Sequence, residues 1–364
     1  MFDHIKYAVI GAGISGLTVA RLIAEQLDRE VLIIEKRRHI GGNCYDYYNQ
    51  DGILVHKYGP HIFHTQNRRV FAFLSRFTEW NFYQHKVLTY VDGNLLPMPI
   101  CAKTINMLFN MNLSCTEVQS FLDSVRDKDR KINNSEDVVL QGAGTLIYEK
   151  FFKNYTKKQW DAYPSELSPQ VISRVPIRTS NDDRYFTDQY QGMPALGYTE
   201  LLNRMADHSN IRLILGTDYR TLGDLSDKSV ICTAPIDEYF GYALGALKYR
   251  SLDIRLQSHH MTSYQPAAVI NYPNDYDFTR ITEYTKLTGQ KRDTTVISLE
   301  YPTWEGEPYY PVMDQAQQSK YNEYKALAAE NVYFLGRLGE YRYYNMDAAV
   351  NAAFTLFDSF APTR

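Results

Sequence analysis

Two short apolar runs, at residues 7–10 and 31–34, bracket a helix-forming segment, and three glycines punctuate the turn between the first run and that helix. This order predicts a βαβ unit. Residues up to about 75 continue it with a glycine-rich connection and a second helix. Residues 84–90 alternate like a strand, Asp92-Gly93 signals a hairpin, and 95–99 carry the pattern on. From 102 to about 152 the pattern is helical. Ser114 and Glu117 stand at capping-box spacing there, and charges crowd 126–131 as a solvated face or loop. Residues 178–191 read as strand-like with a turn at 181–183, and 197–205 as a helix. The runs 211–215 and 229–234 suit strands that complete a doubly wound sheet, whereas 269–282 and 295–301 look antiparallel. A helix at 320–329, a last buried strand at 331–336 and a helix at 346–360 close the chain. No internal repeat or low-complexity linker separates these segments. The expected fold is α/β, a Rossmann-like domain interrupted by inserted helical and antiparallel β-sheet pieces.

The glycines carry the first chemistry. Gly11 allows a tight turn, Gly13 lets the backbone approach a pyrophosphate, and Gly16 lets helix and strand pack closely. The free N–H groups at the helix start can then hold a diphosphate. The second strand ends in Glu35, the acid expected at a ribose hydroxyl. Together these predict a dinucleotide site; the alternative is a plain strand–turn–helix, and Glu35 argues against it.

Composition narrows the classes. A chain of 364 residues can bury more than one core. A net charge of -3 gives no reason to expect nucleic acid, and no stretch is long and apolar enough to span a membrane. The first strand begins almost at once, which leaves no room for a signal peptide. Cys44, Cys101, Cys115 and Cys232 lack metal-type spacing and read as reduced thiols of a cytoplasmic protein, with no metal site. The 30 tyrosines outnumber the 17 phenylalanines, and their clusters at 309–310 and 341–344 suggest a site for a polar, ring-shaped ligand.

Glu35 is followed by a loop containing Gly41, Gly42 and Asn43, whose backbone can approach a flavin or its diphosphate; a plain turn is the alternative. A closing strand that runs through Gly336 and Arg337 into the helix beginning at Met346 lets a second helix N-terminus face the same group. No second nucleotide fingerprint for NAD(P)H is present. These features favour FAD. The FAD-binding domain is then expected from 1–80, 195–250 and 318–364, a helical domain from 100–172, and an antiparallel sheet domain from 81–99, 173–194 and 251–317.

Eleven motifs, spread nearly end to end, resemble the UDP-galactopyranose mutase family. They are GAGISG at 11–16, GGNCY at 41–45, HKYGPHIFHT at 56–65, LPMPI at 96–100, FFKNYTKKQW at 151–160, RVPIR at 174–178, QGMP at 191–194, TRITE at 279–283, YYP at 309–311, GRLG at 336–339 and YRY at 341–343. The resemblance implies an isomerase that uses reduced FAD without net redox change. Flavin N5 attacks the anomeric carbon of a nucleotide-linked hexopyranose, the diphosphate leaves, and the N5-sugar adduct recloses as a furanose. UDP-galactofuranose for polysaccharide biosynthesis would be the product. A cellular flavin reductant, NAD(P)H or a reductase, and a homodimer are implied partners.

The resemblance also implies roles for single residues. Arg174 and Arg280 match the diphosphate arginines, and a doubly charged leaving group does need fixed cationic forks. Phe152, Tyr155, Thr156 and Trp160 match a nucleoside-binding helix, where spacing of three or four puts the first three on one face. Phe151 suits either that helix or the core. Tyr185, Asn271, Tyr310 and Tyr343 match residues lining diphosphate and sugar. His61 matches a histidine beside the flavin, with its backbone and Gly59 as the contact, while His56 and His64 suit core positions. Arg337 matches an arginine whose charge favours the anionic reduced flavin.

Three positions depart from the family pattern: Asn345 stands where an Asp is expected, His85 where an Asn is, and Ser173 where a basic residue is common. All three belong near sugar or phosphate, so the sugar stays open. The alternatives are a 6-deoxy, N-acetylated or dTDP-linked sugar such as dTDP-fucopyranose. Two other classes compete, an amine-oxidase-like FAD oxidoreductase and a non-catalytic nucleotide-binding protein. The arginine pair and the nucleoside helix argue against both.

Overall fold

The computed structural model describes residue 2 and residues 4–360. Its first sheet is parallel and five-stranded, in the order Ile211–Leu215, Val31–Glu35, Tyr7–Ile10, Ser229–Cys232, Val332–Phe334. These strands read as continuous apolar runs because helices cover the sheet. The helix Ile14–Gln26 lies beside the helices Tyr198–Ala206 and Met346–Phe360. Val9, Leu17, Ile33, Leu202, Val350 and Phe354 meet in one core. Burying each such side chain stabilises the fold by about 1.5–3 kcal/mol.

A seven-stranded sheet forms a second layer, in the order Tyr310–Pro311, Tyr249–His259, Thr295–Thr303, Arg280–Glu283, Val269–Asn271, Val87–Val91, Asn94–Met98. The hairpin turn at Asp92 and Gly93 has positive φ at both positions, as a two-residue turn of this kind requires. Helices Ala102–Phe109, Cys115–Val125 and Ser135–Ala143 pack over this hairpin around Ile105, Val118, Leu122, Val139 and Ile147. Ser114 and Glu117 do form a capping box at the second of them.

Two expectations change. The strands from 269 onward are not all antiparallel: Val269–Asn271 pairs in parallel with Val87–Val91. Those strands come from separate insertions, so no hairpin constrains their direction. The segment 178–191 is mostly irregular, and only Tyr190–Pro194 forms a strand there. That strand joins Phe63–Thr65 and Trp80–Phe82 in a separate three-stranded sheet, so 173–194 adds no strand to the seven-stranded one. The alternating residues of 178–191 are instead fixed by side-chain bonds, such as Arg178 donating to the carbonyl oxygens of Asp182 and Arg184.

Candidate active site

The first cavity encloses about 690 Å³ at the carboxyl ends of the parallel strands, where ligands of open α/β sheets bind. Gly13 is the N-cap of the helix Ile14–Gln26, with no side-chain cap and no acid in the first turn. The amides that open the helix are therefore left for a ligand. Glu35 is buried, and its carboxylate accepts the Ala12 and Arg37 N–H groups, each at 2.8 Å. Gly41 and Gly42 have positive φ, and a Cβ on Gly42 would lie 2.9 Å from Gly13 Cα. Only glycine keeps the two loops this close. An open helix start for a diphosphate, a fixed acid for a ribose and a glycine floor together fit FAD.

Gly11, Gly13, Glu35, Gly41, Gly42, Asn43, His61, Gly336, Arg337 and Met346 all line this cavity. Gly59 lines the second cavity instead. Gly16 lines neither and acts through packing, since a Cβ there would meet the Gly11 carbonyl oxygen at 2.2 Å.

The second cavity, about 260 Å³, shares Asn43, His61, Arg337, Asn345 and Met346 with the first, so the two meet along that wall. Phe152, Tyr155, Thr156, Trp160, Arg174, Tyr185, Asn271, Arg280, Tyr310, Tyr343, Asn345 and His85 all line it. Ser173 does not. Phe151 lines it too while also belonging to the core between helices and hairpin. Phe151 and Phe152 sit in a π turn, Tyr148–Lys153, that runs into the helix Asn154–Trp160. Such turns occur often at functional sites.

Arg174, Arg280 and Arg337 line this cavity, and among the described residues no aspartate, glutamate or lysine does. Arg280 donates through Nε to Glu300 at 2.7 Å, and Glu300 is fully buried behind it. The guanidinium of Arg174 stacks over the Tyr343 ring at 4.4 Å, and none of the described ion pairs involves it. Arg337 donates to the carbonyl oxygens of Tyr344 and Tyr309, which orients it without neutralising it. Burial raises the Tyr343 phenol, but the charges of Arg174 and Arg337 outweigh this and hold its pKa below the ordinary tyrosine value. A cavity with this field attracts an anion with several negative charges.

Three buried histidines, His56, His61 and His85, are held neutral. Burial pushes His56 and His85 down to about 3. It also lowers His61, whose N–H donates to His56 Nδ1 at 3.0 Å and whose ring nitrogen meets the Gly59 carbonyl oxygen at 2.8 Å. The unfolded chain takes up these protons near pH 6.5, whereas the folded protein does so only near 3. Their contribution is therefore complete above pH 6.5 and is lost as pH falls below it. Denaturant titrations between pH 7 and 5.5 should show about two protons taken up on unfolding. A flat profile would mean that the buried imidazoles are charged.

Some lining residues carry no sequence signal of their own. Thr217, Asp218 and Tyr219 line the first cavity from just beyond Ile211–Leu215; their place after a parallel strand is the one available clue. Lys158 and Arg250 clamp the end of the nucleoside-type helix. Lys158 donates to the carbonyl oxygens of Tyr272, Tyr276 and Phe278, and Arg250 to those of Lys158 and Gln159. Cations suit helix carboxyl ends, but the partners lie about a hundred residues away in sequence.

Comparison with known proteins agrees with this geometry. The family model for UDP-galactopyranose mutase matches residues 150–343, and an NAD(P)-binding Rossmann-like domain matches 9–77. A probable UDP-galactopyranose mutase of Klebsiella pneumoniae is 37% identical over 97% of this chain and 94% of its own. A dTDP-fucopyranose mutase of Escherichia coli is 36% identical over 96% of both. Among solved structures, a reduced UDP-galactopyranose mutase superposes with a TM-score of 0.77 at 16% identity, covering 97% of this chain and 93% of that one.

Proposed function

Because the chain belongs to the UDP-galactopyranose mutase family, we propose that it converts UDP-galactopyranose to UDP-galactofuranose with reduced FAD held in the first cavity. The observation that carries this reading is the second cavity's wall of three arginines without a carboxylate. A nucleoside diphosphate supplies the missing negative charge, and an amine substrate does not.

Gly11, Gly13, Gly41, Gly42 and the opening amides of Ile14–Gln26 would hold the FAD diphosphate, and Glu35 its ribose. When bound and reduced, FAD supplies a nucleophilic nitrogen and ends the cycle in the same oxidation state. The remaining work falls to the chain. Arg174 and Arg280 neutralise the departing diphosphate, Arg280 as a fixed donor held in the wall by buried Glu300, where such donors act most strongly, and Arg174 from the exposed rim. Arg337 holds positive charge at the junction of the cavities, which favours an anionic reduced flavin. Phe152 and Tyr155 offer rings for the base. His61 and Gly59 form the wall near the flavin with a neutral surface.

A second reading is the same ring contraction on dTDP-fucopyranose. His85 and Asn345 both line the substrate cavity and both depart from the family pattern, and a relative of equal similarity is named for that activity. The test is direct. Purified protein is reduced with dithionite and given UDP-galactose or dTDP-fucose, and the sugar nucleotides are separated by chromatography. Furanose should form only after reduction, with no stoichiometric use of electrons. Product from the oxidised enzyme, or none from either sugar, would overturn the proposal.

A further inference from the structure

We propose that Tyr83 is a positioning residue that fixes His85 as a pure N–H donor to the sugar part of the substrate. The pair then helps decide which sugar is accepted. This rests on the nucleotide-sugar reading above.

His85 lines the substrate cavity and is only 4% exposed. Its position is over-determined. The Tyr185 N–H donates to its carbonyl oxygen at 2.7 Å. Its ring lies against Phe186 at a centroid distance of 5.9 Å and edge-on to Tyr185 at 5.6 Å. The Tyr83 hydroxyl lies 3.0 Å from its Nδ1. The imidazole is neutral through the working range, with the nearby Arg280 charge adding to burial, so one nitrogen carries hydrogen and the other accepts.

The phenol decides which. Among the described residues the one hydrogen-bond partner of the Tyr83 hydroxyl is His85 Nδ1. If Tyr83 donates, both groups are satisfied. If Nδ1 donates instead, the half-buried phenol hydrogen loses its one described protein acceptor, which costs about 1 kcal/mol. Nδ1 therefore accepts, and the hydrogen sits on Nε2, for which no described residue offers a partner. An Nε2–H can donate but not accept.

Its place favours the sugar. His85 precedes the strand Val87–Val91, and that strand packs against the π turn bearing Phe151 and Phe152. The nucleoside end of the cavity is thus at the strand. His85 lies beyond it, against Tyr185 and Phe186. With no carboxylate in the wall, a donor there selects for an acceptor oxygen on the sugar.

The experiment uses the FAD-loaded enzyme, wild type and Tyr83→Phe. Histidine ring 15N spectra should show His85 as one neutral tautomer with hydrogen on Nε2, and a mixture in the variant. KM for the preferred sugar nucleotide should rise about five- to tenfold, as loss of one oriented hydrogen bond implies. Turnover at saturation and inhibition by UDP, which lacks the sugar, should change less than twofold. His85→Gln, which keeps a donor, should retain more activity than His85→Ala. Hydrogen on Nδ1 in the wild type overturns the proposal, as does unchanged KM in a variant with altered tautomers. So does UDP binding that weakens as much as KM rises, since the donor would then serve the diphosphate. A wild type inert on both sugar nucleotides would instead remove the ring-contraction reading, and the tautomer spectrum would still judge the Tyr83–His85 pair.

Discussion

Replacing Arg280 or Arg174 with alanine should lower turnover about 10²- to 10³-fold, the range found when one preorganised donor to a developing charge is removed. FAD should stay bound, because neither side chain lines the flavin cavity. The two variants should differ in stability. Arg280 is paired with Glu300, which is 0% exposed and has its other oxygen unpartnered. Removing the arginine strands that carboxylate in the interior, and breaking a buried pair in this way costs about 3–5 kcal/mol. Arg174 joins none of the described ion pairs and is exposed at the rim, stacked on Tyr343. Its loss should leave thermal unfolding nearly unchanged. Arg174→Ala is therefore the cleaner test of chemistry, and Arg280→Ala tests chemistry and architecture together. Steady-state rates at saturating substrate, the flavin spectrum and melting curves separate these effects. Full turnover of Arg174→Ala with flavin bound would remove the electrostatic account of leaving-group departure.

The contrast shows what a sequence can carry. The glycine turn, Glu35 and the final helix could be read directly because each rests on local spacing with a fixed geometric meaning. Arg280 could be singled out only through its motif. What positions it, the row Asn271, Arg280, Glu300 across three strands, depends on register between segments up to twenty-nine residues apart. The parallel pairing of Val269–Asn271 with Val87–Val91 spans far more, and period-two alternation is the same for either strand direction. Residues 178–191 read as strand-like for a related reason. Alternation there serves the Arg178 side-chain bonds and the contacts of Tyr185 and Phe186 with His85, not a ladder. Tyr83 carries no signal of its own, because a tyrosine two residues before a histidine has no meaning until both rings are seen to meet.

Gly16→Ala should abolish stoichiometric FAD binding and destabilise the protein, against what helix propensity alone predicts. Gly16 lies inside the helix Ile14–Gln26 with ordinary helical backbone, where alanine is favoured over glycine by about 1 kcal/mol. The added methyl would stand 2.2 Å from the Gly11 carbonyl oxygen and 3.1 Å from Val9 Cγ1. The nearer atom is backbone, so no rotamer change relieves the clash. Helix and strand must separate, or the turn 11–13 must move, and either displaces the amides that face the diphosphate. Overpacking of this kind typically costs about 1–3 kcal/mol, which outweighs the propensity gain. Gly142→Ala is the matched control. It also lies in a helix, Ser135–Ala143, and its methyl would stand 2.6 Å from Ile177 Cδ1, the movable end of a side chain. That variant should melt near the wild-type temperature with its full complement of FAD. Released flavin per chain and the melting temperature measure both. If Gly16→Ala were as yellow and as stable as Gly142→Ala, close strand–helix packing would not be what holds the cofactor cradle in shape.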